Sequence, residues 1–133
     1  MIKKTIKYTD YNGEERIEEC YFHMSTPEAT RVLASFGGKS IDDIVDDMTK
    51  NGKADQILAF IENIILGSYG KKTPDGRSFY KDAEETKLFE YSNAYAELFE
   101  ELFEDPNLME EFAKGIGVKT IKENSQPFLK PAN

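Results

Sequence analysis

The sequence predicts a mainly α fold of the α+β class, an N-terminal β-hairpin followed by a compact bundle of about five helices. Two patterns carry this. Over residues 2–24 apolar side chains recur at every second position, and from residue 25 onward they recur every three to four positions between cap signals. A chain of 133 residues with 39% hydrophobic and 12% aromatic content has enough apolar material for one core. One domain is expected over residues 1–117 (hairpin 1–24, helices 25–117), with a flexible tail over 118–133.

In the hairpin, Ile2, Ile6 and Tyr8 alternate with lysines, and Cys20, Phe22 and Met24 alternate with Glu19, Tyr21 and His23. Asp10-Tyr11-Asn12-Gly13 supplies residues that tolerate a positive φ, so the chain reverses there. Two strands alone are marginal in water; the hairpin must pack on the helices or offer an edge to another chain.

Ser25-Thr26-Pro27-Glu28 opens the first helix with a hydroxyl cap and an early proline, and Gly37-Gly38 ends it after Ala29, Val32, Leu33 and Phe36. Ser40 caps a second, with Ile41, Ile44, Val45 and Met48 on one face and Asn51-Gly52 as the stop. The third starts near Lys53 and is expected to bury Ile57, Leu58, Phe60, Ile61, Ile64 and Ile65, which marks it as central. Between Gly67 and Lys81 the helical pattern breaks at the turn Thr73-Pro74-Asp75-Gly76, either a short hairpin or an exposed loop. Leu88, Tyr91, Tyr95, Leu98, Phe99, Leu102 and Phe103 then keep helical spacing, with Ser92 a cap or a slight break. Asp105-Pro106 restarts a last helix bearing Leu108, Met109, Phe112 and Ala113, closed by Gly115 and Gly117.

The formal charge of −8 argues against a general nucleic-acid binder, which needs clustered Lys and Arg. The longest apolar stretch, Ile57 to Leu66, is half the roughly 20 residues a spanning helix needs and contains Glu62 and Asn63, so no membrane span is expected. One cysteine, Cys20, and no apolar leader behind Met1 predict a cytoplasmic setting without an internal disulfide.

The search for chemistry ends without a catalytic constellation, and neither metal nor cofactor is expected. His23 and Cys20 sit three apart in a strand, on opposite faces. Asp42, Asp43, Asp46 and Asp47 pair at i, i+4 on a helix and could hold a divalent cation, but they lack the glycine and alternating oxygens of a calcium loop. Gly37-Gly38-Lys39-Ser40 ends like a phosphate loop, yet Leu33 stands where its first glycine belongs. Lys71, Lys72, Arg77 and Lys81 interleave with Tyr69, Phe79 and Tyr80, a stacking pattern diluted by Asp75 and Asp82.

The remaining signal is surface. From Glu84 to Glu111 ten carboxylates face one cation, Lys87, so nearly all the excess charge lies there. Glu90, Glu97, Glu101 and Glu104 fall on one stripe of a single helix, opposite an apolar stripe with Tyr95, Phe99 and Phe103. These seven residues are the predicted partner-binding site.

Three stretches carry a family likeness. Ile2-Lys3-Lys4-Thr5-Ile6-Lys7-Tyr8-Thr9-Asp10-Tyr11-Asn12-Gly13 with Glu18-Glu19-Cys20-Tyr21-Phe22 resembles the opening of tail assembly chaperones of long-tailed, siphovirus-type phages and prophages of Gram-positive bacteria. Leu66-Gly67-Ser68-Tyr69-Gly70-Lys71-Lys72-Thr73-Pro74-Asp75-Gly76-Arg77-Ser78-Phe79 is similar to that family's middle loop, and Ala94-Tyr95-Ala96-Glu97-Leu98-Phe99 with Phe112-Ala113-Lys114-Gly115-Ile116 to its C-terminal helices. The likeness covers most of residues 1–117. It implies a non-enzymatic chaperone in the host cytoplasm that binds and solubilises the tape measure protein and helps recruit tail tube protein. It further implies a protein that is absent from the mature virion, and the edge of the hairpin predicts a homo-oligomer. Two other readings are compatible with the residues: an acidic DNA-mimic inhibitor of a host nuclease or repressor, and a small metal-dependent enzyme built on Asp42 to Asp47.

Overall fold

The structure is a computed structural model that describes residues 1–118. Strands β1 (Ile2–Thr9) and β2 (Glu15–Phe22) pair antiparallel along their whole length, from Ile2 opposite Phe22 to Thr9 opposite Glu15. The Asp10 carboxylate accepts from the backbone N–H of Asn12 and Glu14 and from Arg16 Nε at 2.7 Å, which fixes the turn.

The segment after residue 67 forms a hairpin rather than an open loop. Its strands are β3 (Tyr69–Lys72) and β4 (Phe79–Tyr80). Phe22 pairs with Tyr69 and Tyr21 with Gly70, giving one antiparallel sheet in the order β1-β2-β3-β4. The strand that needed a partner finds it within the chain. Ile6, Cys20 and Phe22 point into the core, while Lys3, Lys7 and Ile17 stay exposed on the other face.

Six helices follow the first hairpin: α1 (Thr26–Ser35), α2 (Ile41–Lys50), α3 (Ala54–Leu66), α4 (Ala83–Glu90), α5 (Asn93–Glu104) and α6 (Pro106–Ile116). α1 opens on a capping box, Ser25 accepting from the Glu28 N–H while Glu28 accepts from Ser25 N–H at 2.9 Å. The helix count exceeds the expected five because Ser92 divides one apolar run. Its Oγ donates to Phe89 O at 2.6 Å, closing α4, and accepts from Tyr95 N–H, opening α5. Asp105 ends α5 and caps α6, with Pro106 in the first turn.

The helices cover the inner face of the sheet around Phe22, Phe60, Leu98 and Phe112, all buried. α5 runs antiparallel alongside β1, because Asn93 Nδ2 donates to Thr9 O at 2.8 Å while Glu101 meets Lys4 at 3.0 Å. α6 closes the opposite end, where Met24 N–H donates to Ile116 O at 2.7 Å. Val118 is buried and donates to Ala113 O, so the packed body reaches one residue into the segment predicted as a tail. The rest of that segment lies outside the described residues.

Candidate partner-binding surface

The single acidic stripe is corrected by the break at Ser92. Glu90 belongs to α4, half-buried, and Glu97, Glu101 and Glu104 belong to α5. Within α5 the carboxylates diverge in use. Glu101 is paired with Lys4, and Glu97 faces a cleft it shares with Lys7, Tyr8 and Arg16 of the hairpin. Glu104 is exposed. Part of the acidity therefore offsets the lysines of β1 inside the molecule instead of serving as outer surface.

The aromatic stripe divides too. Leu98 and Leu102 are buried, Tyr95 and Phe99 are half-buried against the core, and Phe103 remains 47% exposed. Rings connect the interior to that surface. Phe22 lies 5.9 Å from Tyr69, and Tyr69 stacks on Phe89 at 4.2 Å. Phe89 meets Tyr95 edge-on at 5.8 Å, Tyr95 lies 5.7 Å from Phe99, and Phe99 stacks on Phe103 at 6.4 Å. Burial pushes the Tyr95 hydroxyl up to about 12, with Glu62 and Glu90 adding to the shift, so both carboxylates lie on its side of the fold.

Three exposed apolar residues depart from the expected core faces. Leu58 of α3 is 41% exposed, and Leu88 and Tyr91 near the end of α4 are 70% and 64% exposed. α3 has more apolar positions than its buried face can hold, and the division at Ser92 turns Leu88 and Tyr91 outward. Leu58, with Glu62 on the next turn, was missed as surface because α3 is apolar so far around.

The four aspartates of α2 are held by separate cations or left in water: Asp42 by Lys114 at 3.0 Å, Asp46 by Lys50 at 3.2 Å and Asp47 by Lys53 at 3.3 Å. Among the described residues no group of three or more His, Cys, Asp or Glu could hold a metal ion. Three cations of the basic loop have partners within the chain: Lys71 pairs with Glu85, Lys81 with Glu28, and Lys72 lies over the Tyr21 ring at 6.0 Å. His23 packs edge-on against Phe79 at 5.7 Å, and burial lowers its pKa. Cys20 is buried, and burial pushes its thiol pKa up to about 11.

Glu28 joins three elements, taking Lys81 Nζ at 2.6 Å while it caps α1; Lys81 also donates to Gly67 O at 2.7 Å. Burial alone would raise the Glu28 pKa, but the hydrogen bonds from Lys81 and Ser25 outweigh it and hold the carboxyl below its usual value. A depressed carboxyl contributes stability that is present above its unfolded pKa and is lost as pH falls through the folded one. Urea midpoints should thus fall more steeply in the wild type than in Glu28→Gln as pH drops from about 6 to about 3. Parallel slopes would show that this pair contributes nothing.

The family model described as phage tail assembly chaperone matches residues 1–127, ten residues beyond Gly117. No curated protein and no solved structure matches the chain.

Proposed function

The chain belongs to the phage tail assembly chaperone family, and on that premise we propose that it binds the tape measure protein, keeps it soluble, and helps recruit tail tube subunits during tail morphogenesis. Membership implies protein partners in tail assembly, and among the described residues no helix is long and apolar enough to cross a membrane. The observation that carries the proposal is the extent of the match, which takes in the sheet and all six helices.

The chemistry of the surface supports it. A long helical client exposes apolar surface before assembly, and a partner must cover that surface without aggregating itself. Half-exposed Phe103 and Leu58 supply apolar contact, and the carboxylates near them keep this face of one copy from sticking to the same face of another. The proposal places the protein in the host cytoplasm, as a homo-oligomer that leaves before the virion is finished. It assigns no catalytic step, cofactor or nucleic acid to the chain. Coexpression with the tape measure protein encoded beside it is the test. The soluble share of that client should rise several-fold over expression alone, and an unchanged share would refute the proposal.

A further inference from the structure

We infer that the seam between α3 and α5 is the docking site, and that it takes a cationic amphipathic helix of the client; this rests on the chaperone reading above. The seam is defined by packing. α3 and α5 contact each other. The ring series from Tyr69, just beyond the C-terminal end of α3, through Phe89 to Tyr95 sets the first turn of α5 beside that end. Phe99 and Phe103 follow Tyr95 by one and two turns on α5, and Leu58 stands one turn before Glu62 on α3. Leu58 and Phe103, 41% and 47% exposed, are the large apolar side chains that the two helices leave most open, and the ring series ties Phe103 to the core.

Charge selects the occupant. Neither α3 nor α5 contains a single Lys or Arg, whereas they carry Asp55, Glu62, Glu97, Glu100, Glu101 and Glu104. Glu100 and Glu104 are exposed on the solvent side of α5, and Glu62 is exposed on α3. An apolar strip between carboxylate rims matches a helix with apolar residues at i, i+3, i+4 and i+7 and lysine or arginine on its flanks. Among the described residues no helix of a second copy supplies one. Among the described helices α1 balances Glu28 with Arg31, and α2, α4 and α6 each hold more acids than bases. We therefore assign the complement to the client rather than to a described helix of a second copy.

The probe is a synthetic helix of about 18 residues, five turns, with leucine on one face and lysine on the other. Its binding to the full chain is read by fluorescence anisotropy, beside a peptide in which glutamate replaces lysine. The lysine peptide should bind and weaken as salt rises, and the glutamate peptide should not bind. Phe103→Ala should weaken binding about tenfold. Glu100→Lys with Glu104→Lys, which leaves the core untouched, should abolish it, while Glu111→Lys on α6 should change it by less than about twofold. Equal binding by all variants, or equal binding of both peptides, would overturn the inference. A dimer that Leu58→Lys dissolves would overturn it as well, because the occupant would then be a second copy.

The two readings fail differently. If the seam variants still solubilise the tape measure protein as well as the wild type, the docking site is elsewhere and the chaperone reading stands. If the wild type binds the lysine peptide at the seam yet gives the tape measure protein no protection, the chaperone reading fails and the docking site stands.

Discussion

Phe22→Ala is expected to destabilise the folded chain by about 3–5 kcal/mol, the range for truncating a fully buried aromatic side chain. Phe22 has no solvent exposure and sits where four elements converge. Its ring meets Phe112 of α6 at 5.3 Å, Tyr69 of β3 at 5.9 Å and Phe89 of α4 at 6.0 Å. Its backbone is in the β2 strand that joins the two hairpins. Removing the ring leaves a void bordered by three other rings, which cannot all move inward because each is fixed to its own element. Domains of this size hold about 5–15 kcal/mol in total, so the loss would be visible as a large shift in the urea midpoint followed by circular dichroism. Ile17→Ala on the exposed face of the same strand, 65% exposed, should shift stability by about 0.5 kcal/mol or less. Equal effects at the two positions would mean that the sheet faces are assigned the wrong way round.

Gly117→Ala is the second large effect, at about 2–4 kcal/mol. Gly117 has φ +122°, a conformation L side chains rarely adopt, and a Cβ there would stand 2.7 Å from the backbone oxygen of Met24. That oxygen cannot retreat easily, since Met24 N–H is bonded to Ile116 O and Val118 N–H to Ala113 O on either side of the glycine. The substitution therefore strains both the end of α6 and its junction with β2. Gly52, at φ +62° with nothing within 4 Å, separates the two contributions. Gly52→Ala carries backbone strain alone and should cost about 1 kcal/mol. A thermal melt of both variants decides it, and a Gly117→Ala protein no less stable than Gly52→Ala would contradict the close approach.

Local features of the fold were legible in the sequence, because the forces that set them act within a few residues. Period-two alternation gave both strands of the first hairpin, and Ser25-Thr26-Pro27-Glu28 and Asp105-Pro106 marked helix starts where capping groups now bond the first turns. Contacts distant in the chain were not legible. β3 joins β2 through two residue pairs, too few to leave a periodic signal. Ser92 could equally have bonded back within one long helix; the Asn93 contact with Thr9, 84 positions earlier, accompanies the break that starts α5 there.

The surface was legible in charge and misread in geometry. Helical spacing correctly separated Glu97, Glu101 and Glu104 from the buried Leu98 and Leu102 of α5. Spacing says nothing about a neighbouring strand, so it could not show that Glu101 is taken by Lys4 or that Glu97 faces the hairpin. Nor could it show that Leu58 is left at the surface of a helix apolar on most sides. The docking site we infer therefore extends from the predicted acidic stripe to Leu58 of α3.

Hydrogen exchange on the coexpressed complex with the tape measure protein tests the central claim most directly, compared residue by residue with the chaperone alone. Amides of residues 54–66 and 93–104 should exchange more slowly in the complex, while those of sheet strands 2–9 and 15–22 should be unchanged. Slowing confined to the sheet, or no complex from which to measure it, would contradict the account.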